Sequence, residues 1–600
     1  MPRSNRPNMN EFAKPKNTKR AIGSLLRYIG KHKLMMFFNI LIAVVSVVLA
    51  MKGPEILGGA TDEAFKGIMS KMTGGNEGIN FDKIWSIILT LIGLYSVSAI
   101  LSFIQGASMS VISAKVTYRM RKEADDKIHA LPLSFFDKTT HGEVQSRISN
   151  DIDTVGMALN QSIVQTITAI TQLIAILYFM FKISWELSII AIATVPISLI
   201  GIGVIFGTSQ KEYRNQQKML GEVNGHIEEV FSGSGVVRAF NMEDSMKKKF
   251  NGLNDSLYNS SWRATFLSGI MWPITNIVGN VGYVAICIVG GGLAVAGGVT
   301  VGGIQAFIQY SRQFNQPIMQ VANISTMFQQ IAAASERIFE FLDEGEESGD
   351  RLAPIHKSRF ENPDIKFDNI SFGYSADKPV INGFSANIKN GQRIAIVGET
   401  GAGKTTIVKL LMRFYDVDSG AISIAGINVR DMQRDDLRGQ MAMVLQDTWL
   451  YNDTIMENIR YGNLRASDED VRNAAKIAQV DHFVHTLPKE YNMVLNEEAD
   501  NISSGQKQLI TIARAVLSNP KILILDEATS NVDTRTEVLI QKAMNNLMKG
   551  RTSFIIAHRL STIKNADLIL VMKDGNIVEQ GTHNSLILRG GEYAKMLKNR

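Results

Sequence analysis

Between Leu34 and Ile331 apolar residues come in long blocks with almost no Asp or Glu, whereas after Asp343 apolar and polar positions mix at short intervals. A helix needs roughly 20 apolar residues to cross a bilayer, and blocks of that order lie near 34–56, 84–108, 157–182, 185–207, 265–291 and 301–328. The pattern predicts about six membrane-spanning helices followed by a water-soluble domain. The connections differ in kind. The third is little more than Lys182-Ile183-Ser184-Trp185-Glu186, whereas the second and fourth (109–156 and 208–264) are long, charged and helix-favouring. Each long connection contains one break, Leu131-Pro132-Leu133-Ser134-Phe135-Phe136-Asp137 in the first and Phe231-Ser232-Gly233-Ser234-Gly235 in the second. Such a break reads either as a plain turn between two helices or as a short transverse helix where membrane helices fold back to touch the soluble domain.

Composition and charge fix the direction of insertion. Length alone would suggest about four soluble domains, but 45% apolar residues against 20% charged ones is rich for a wholly soluble chain. Much of the net charge of +6 sits before the first block, where Arg3, Arg6, Lys14, Lys16, Lys19, Arg20, Arg27, Lys31 and Lys33 face a single acid, Glu11. A basic arm can serve nucleic acid. Here an apolar run follows at once, which fits a cytoplasmic flank under the positive-inside rule. The first apolar block is too long for a cleavable signal peptide and lacks a small-residue cleavage site. Six spans then leave both long connections and the C-terminal half in the cytoplasm, where ATP is. Cys287 is the single cysteine, which excludes a disulfide within the chain and argues against a Cys-based metal site.

The soluble half carries the chemistry. Ile394-Ala395-Ile396-Val397 is a buried-strand run, followed by Gly398, Glu399, Thr400, Gly401, Ala402, Gly403, Lys404, Thr405 and Thr406, then by a helical pattern from Ile407 to Phe414. This is the strand–loop–helix context a P-loop requires. Glycines let backbone N–H groups close around phosphate at a helix N-terminus that favours anions. Lys404 would reach the β- and γ-phosphates of ATP and Thr405 would ligate Mg²⁺. A second apolar strand, Ile522 to Leu525, ends in Asp526 and Glu527. Asp526 is suited to hold Mg²⁺ and Glu527 to orient or deprotonate the attacking water.

Asn501-Ile502-Ser503-Ser504-Gly505-Gln506-Lys507-Gln508, just upstream of that strand, closely resembles the signature sequence of ABC transporters. The resemblance covers nearly the whole chain and implies further roles. Tyr374 matches the aromatic residue that stacks on adenine. Gln446 matches the glutamine that senses the γ-phosphate and Mg²⁺. Asp533, closing Ser530-Asn531-Val532-Asp533, matches the D-loop aspartate, and His558 the switch histidine. The implied fold is a helical transmembrane domain (1–343), a linker (344–363) and an α/β P-loop nucleotide-binding domain (364–600), as in ABC exporters of the type IV fold. The two breaks then fall where that family's coupling helices lie. In that family ATP sits between two ATPase domains, the P-loop of one facing the signature of the other, so one such chain is a half-transporter. Ser504 stands where the family has a glycine, which implies a heterodimer in which Ser503, Ser504, Gly505 and Gln506 serve the partner's degenerate site; the alternative is a tolerated change in a homodimer.

Glutamines recur at helical spacing in two spans: Gln161, Gln165 and Gln172 with Thr168, and Gln305, Gln309, Gln313, Gln316 and Gln320. Such spacing shares a helix face, read either as interhelical hydrogen bonding or as the wall of a wide, uncharged cavity for amphipathic, drug-like cargo. Carboxylates for a proton relay are missing from the membrane interiors. The expectation is ATP-driven multidrug efflux across the cell membrane, with export of lipid or peptide as the alternative and an ATP-gated channel behind both. No nucleic-acid partner is expected.

Overall fold

The computed structural model describes residues 33–74, 78–347, 363–375, 378–445, 448–496, 499–526, 533–557 and 560–598, with 23–25, 27, 28 and 30. Most of the basic N-terminal residues and most of the expected linker lie outside them. By its contacts the chain divides into two compact units, one of residues 1–129 and 140–344, the other of 130–139 and 345–600.

The first unit is helical. Among the described residues five helices are long and apolar enough to cross a membrane: α1 Lys33–Met72, α2 Phe81–Ala130, α3 His141–Ile183, α4 Trp185–Ser232 and α5 Glu243–Val295. A further helix, α6 (Val301–Asp343), is 43 residues long. Gln305, Gln309, Arg312, Gln313, Asn315 and Gln316 in its first half keep it less apolar than the other five. At 1.5 Å per residue the 50 residues of α2 span about 75 Å, well beyond a hydrocarbon core of about 30 Å. The long charged connections are therefore continuations of the membrane helices. Each break holds a short helix, Leu133–Phe136 after Pro132 and Ser234–Ala239 after Gly233. Hydroxyl caps start the helices that follow tight connections: Thr140 accepts from Glu143 N, Ser184 from Leu187 N and Thr300 from Gly303 N, satisfying donors that a helix leaves unpaired.

Polar groups and small residues hold these helices together. Ser46 Oγ meets Ser98 Oγ at 3.1 Å and Ser102 Oγ at 2.8 Å between α1 and α2, and the Tyr310 hydroxyl donates to Met51 O at 2.6 Å. The α1 and α6 backbones almost touch. A Cβ on Gly302 would stand 1.8 Å from Gly58 O, a distance only glycine permits, and Asp62 Oδ1 accepts the Gly302 N–H at 2.6 Å beside it. Arg337 of α6 pairs with the buried Asp151 of α3, Nε to Oδ2 at 2.8 Å.

The second unit is α/β. Strands β1 (Ile365–Ser375), β2 (Lys378–Ile388), β4 (Ser419–Ile424) and β5 (Ile427–Asn428) form an antiparallel sheet in the order β2-β1-β4-β5. Strands β3 (Arg393–Gly398), β6 (Met441–Val444), β7 (Ile522–Asp526), β8 (Thr552–Ile556), β9 (Leu568–Lys573) and β10 (Asn576–Gly581) form a second sheet in the order β10-β9-β3-β8-β7-β6. All its pairs are parallel except β9 with β10. Parallel strands covered on both faces read as unbroken apolar runs, which is why β3 and β7 stood out in the sequence. Alternate residues feed opposite cores: Ile394, Ile396, Ile522 and Ile524 pack with Ile407, Leu410 and Leu411, whereas Ala395, Val397, Leu523 and Leu525 pack with Leu509, Ile510 and Ala513.

Candidate nucleotide site and membrane cavity

The parallel register decides where the chemistry gathers. Ile396 of β3 pairs with Ile556 of β8, and Ile556 with Asp526 of β7, so the three chain segments leave the sheet at one edge. β3 runs into the P-loop, and helix α7 (Lys404–Leu411) starts from Gly403, whose φ of 95° is left-handed. A side chain there would also collide with Ile381 Cδ1 at 2.6 Å. Lys404 Nζ bridges the loop, donating to Gly398 O and Glu399 O at 2.8 Å each. A loop of this shape, with a lysine over it and a helix N-terminus behind it, is a fit cradle for a polyphosphate. Thr405 is the second residue of α7, and Thr406 beside it is buried. Glu399, Thr400, Gly401 and Ala402 complete the turn, with Ala402 held by its N–H on Glu399 O at 3.2 Å.

Tyr374, at the end of β1, sits over this loop. Its hydroxyl lies 3.2 Å from Thr406 Oγ1 and the residue is 42% exposed, as a stacking platform requires. Around it stands a cluster that sequence reasoning missed. The Tyr415 ring meets Tyr374 edge-on at 5.2 Å, and Lys409 Nζ lies 5.6 Å from the Tyr374 centroid. Lys409 also donates to Asp137 Oδ2 at 3.2 Å, and the Tyr415 hydroxyl donates to the same oxygen. Burial alone would raise the Asp137 carboxyl, but the hydrogen bonds from Tyr415 and Lys409 and the lysine's charge hold it below the usual carboxylate range. Burial and the bond to Asp137 push the Tyr415 hydroxyl up. In the sequence Asp137 is only the end of a break, and no local signal ties it to a tyrosine 278 residues later.

Asp526 ends β7, half-buried, at the same sheet edge. Gln446, Glu527 and His558 lie outside the described residues. The neighbours of His558 and Glu527 do not: Ala557 N donates to Ile396 O at 3.2 Å, and Asp526 adjoins Ile556. Asp533 caps helix α9 (Thr534–Met548), its Oδ1 accepting from Arg535 N and Thr536 N at 3.0 Å each. The Thr536 hydrogen bonds hold its carboxyl below the usual range. Ser503 caps helix α8 (Ser504–Ser518) in a reciprocal box with Gln506: Gln506 N donates to Ser503 Oγ at 3.3 Å and Ser503 N to Gln506 Oε1 at 2.9 Å. Ser504 is exposed in the first turn and Gly505 is buried behind it. The P-loop helix α7 belongs to one core of the six-stranded sheet and α8 to the other, so the structure does not bring the signature and the P-loop of this chain onto one face.

In the first unit a cavity of about 590 Å³ opens between α4, α5 and α6, among Thr194, Asn276, Asn280, Tyr283, Arg312 and Gln316. The glutamine row divides. Gln316 and Gln320 line this cavity, Gln305 accepts from Thr61, and Gln313 is half-buried with its side-chain oxygen buried and unpaired. The wall is not uncharged, as the glutamine spacing suggested, because Arg312 stands in it.

Comparison with known proteins places these features in company. A family model described as "ABC transporter transmembrane region" matches residues 36–318, and one described as "ABC transporter" matches 381–530. A "Fatty acid ABC transporter ATP-binding/permease protein" of Mycobacterium tuberculosis is 42% identical over 575 residues, 91% of either chain. The uncharacterized ABC transporter ATP-binding protein YfiC of Bacillus subtilis is 39% identical over 588 residues, 98% of this chain and 95% of its own. A "Putative multidrug export ATP-binding/permease protein" of Bacillus subtilis is 32% identical over 570 residues, 95% of this chain and 97% of its own.

Proposed function

The chain belongs to the ABC transporters, with a helical transmembrane region and an ATP-hydrolysing domain fused in one polypeptide, and on that footing we propose that it is one half of a two-subunit pump exporting amphipathic or hydrophobic compounds across the cell membrane. The observation that carries the two-subunit reading is the placement of α7 and α8 on opposite cores of one sheet. A P-loop that cannot meet its own signature needs that of another chain. The exposed apolar turn of Phe231, Val236 and Phe240, at 82%, 63% and 74% exposure, supports a second chain as well, since such a patch on a charged helix hairpin asks for a cover.

In this reading Tyr374 stacks on adenine and Lys404 with the P-loop N–H groups neutralises the phosphates. Glu527 positions and deprotonates the attacking water, with Gln446 and His558 beside the γ-phosphate. Mg²⁺, held by Thr405, Gln446 and Asp526, would neutralise charge on the β- and γ-oxygens. Asp533 adds its capped helix start to the shared interface. Residues 1–343, with the excursion 130–139 given to the ATPase unit, form the membrane half, and the N-terminus and ATPase face the cytoplasm.

Ser504 supports a heterodimer. Its backbone is ordinary helix start, so no turn demands glycine there; what its side chain changes is the space open to an approaching phosphate. Ser503, Ser504, Gly505 and Gln506 then cap a slow site on the partner, while Lys404, Asp526, Glu527 and His558 hydrolyse ATP against the partner's signature. The test is ATPase activity of the chain purified alone and with a candidate partner in lipid. Low activity alone and drug-stimulated activity together is expected, and strong stimulated hydrolysis by the single chain would overturn the heterodimer. The name of the mycobacterial relative favours a second reading in which the cargo is a lipid.

A further inference from the structure

Arg312 is anomalous on physical grounds. No Asp or Glu occurs between Asp255 and Glu336, a stretch that contains the cavity-lining turns of α5 and α6, and Arg263 is the one other cation in it. Arg312 lies about 16 Å along α6 from Val301 at 1.5 Å per residue, in the wall of the cavity. A guanidinium at such a depth is costly unless it meets an anion or water, and among the described residues no carboxylate pairs with it. It is nevertheless held in place. Its guanidinium carbon lies 5.3 Å from the centroid of Tyr283 across the cavity, a contact that fixes the plane of the fork while leaving its N–H edge open. Amides line the same cavity, Asn276 and Asn280 from α5 and Asn315 and Gln316 from α6, together with the apolar Ile286 and Met319. A forked cation that shares its cavity with neutral hydrogen-bonding groups and apolar residues is complementary to an oxyanion with a hydrocarbon tail.

We propose that Arg312, braced on Tyr283, is the anchor for the acidic headgroup of an amphipathic anion, a carboxylate or a phosphate monoester, and that lipophilic cations are disfavoured as cargo. The inference rests on the export reading for its biological meaning but not for its test. A planar guanidinium takes either oxyanion bidentately, so the shared chemistry is an acidic head on an apolar tail.

The experiment measures equilibrium binding to the protein in neutral-lipid nanodiscs, without ATP, using four twelve-carbon amphiphiles: dodecanoate, dodecyl phosphate, dodecanol and dodecyltrimethylammonium. The wild type is expected to bind at least one anion about 10-fold or more tighter than the alcohol, the range of a charged hydrogen bond, and the cation most weakly. Arg312→Gln should abolish that preference, and Arg312→Lys should keep part of it, since the charge remains without the fork. Tyr283→Leu should weaken the anions several-fold and leave the alcohol unchanged. Preference for one anion over the other identifies the headgroup. Equal binding of anion, alcohol and cation by the wild type, or an unaltered anion preference in Arg312→Gln, overturns the proposal. Should Arg312→Gln misfold, Arg312→Lys and Tyr283→Leu still decide it, because both keep the wall polar or apolar as before. Anion binding without any ATP-driven movement of the anion in sealed vesicles would sink the export reading and leave the site standing.

Discussion

The two units of this chain spend their apolar residues in opposite ways. In the second unit Ile394, Ile396, Leu523, Leu525 and Phe554 are all 1% exposed or less, and the polar residues cover them. In the first, Phe103, Val204 and Ile200 stand 77%, 75% and 69% exposed, while Ser46, Ser98 and Tyr310 take the interior and pair there. The solvent explains both. Water drives apolar groups inward; lipid gives no such drive, so helix contacts there rest on close packing and hydrogen bonds. Gly58 against Gly302 is the packing part and the Ser46–Ser98–Ser102 cluster the bonding part.

Truncating matched phenylalanines gives the sharpest contrast. Phe554→Ala should cost the second unit about 3–5 kcal/mol, as for a buried aromatic, whereas Phe103→Ala should stay within about 0.5 kcal/mol, as for an exposed site. Thermal unfolding of both variants in lipid nanodiscs checks this, and equal losses would break the comparison. Next in size comes chemistry confined to the second unit. Glu527→Gln should leave ATP binding in place and lower turnover by about 10²-fold or more, the usual range for a general base; wild-type turnover would remove Glu527 from that role. Lys404→Ala removes the cation that spans Gly398 O and Glu399 O, and should weaken ATP binding about 10-fold with turnover falling as well. Unchanged ATP affinity in a direct titration counts against it.

How far the sequence could be read follows the same division. The P-loop was legible because its strand, loop and helix are contiguous, and β3 and β7 announced themselves as doubly buried apolar runs. The long charged extensions of the membrane helices were legible too, from charged, helix-favouring residues with few prolines. The placement of Asp137 against Lys409 and Tyr415 was not, since only the folded chain brings those positions together. Arg312 was in plain view but lost in a row of glutamines. Its signal was the missing acids around it, which a search for repeated residues passes over. The membrane helices also hid which glutamines face the cavity, because Gln305, Gln313, Gln316 and Gln320, at similar spacing, divide among three environments.

The smallest expected effect probes the contact that joins distant parts of the second unit. Asp137→Asn keeps an acceptor for Tyr415 but loses the charge facing Lys409, so ATPase activity should fall only about two- to three-fold, in line with an exposed pair. Because the folded Asp137 carboxyl lies below its ordinary value of about 3.9, its stabilising part is whole above that pH. It declines as the pH falls toward the lowered value, where the carboxylate protonates. The difference in melting temperature between wild type and Asp137→Asn should therefore be largest near neutrality and close as the pH drops below about 3.9. A difference that grows on acidification would contradict the assignment.

That same contact has a bearing on how the protein is made. Asp137 and Tyr415 are 278 residues apart, and at about 5–20 residues per second the ribosome delivers the acid roughly 14–56 seconds before the tyrosine. Through that interval Phe135 and Phe136 lie beside an acid whose receptor has not been synthesised. The ATPase unit is thus finished by a short piece made long before it, and a fragment cut at residue 345 leaves Lys409 and Tyr415 without their acid.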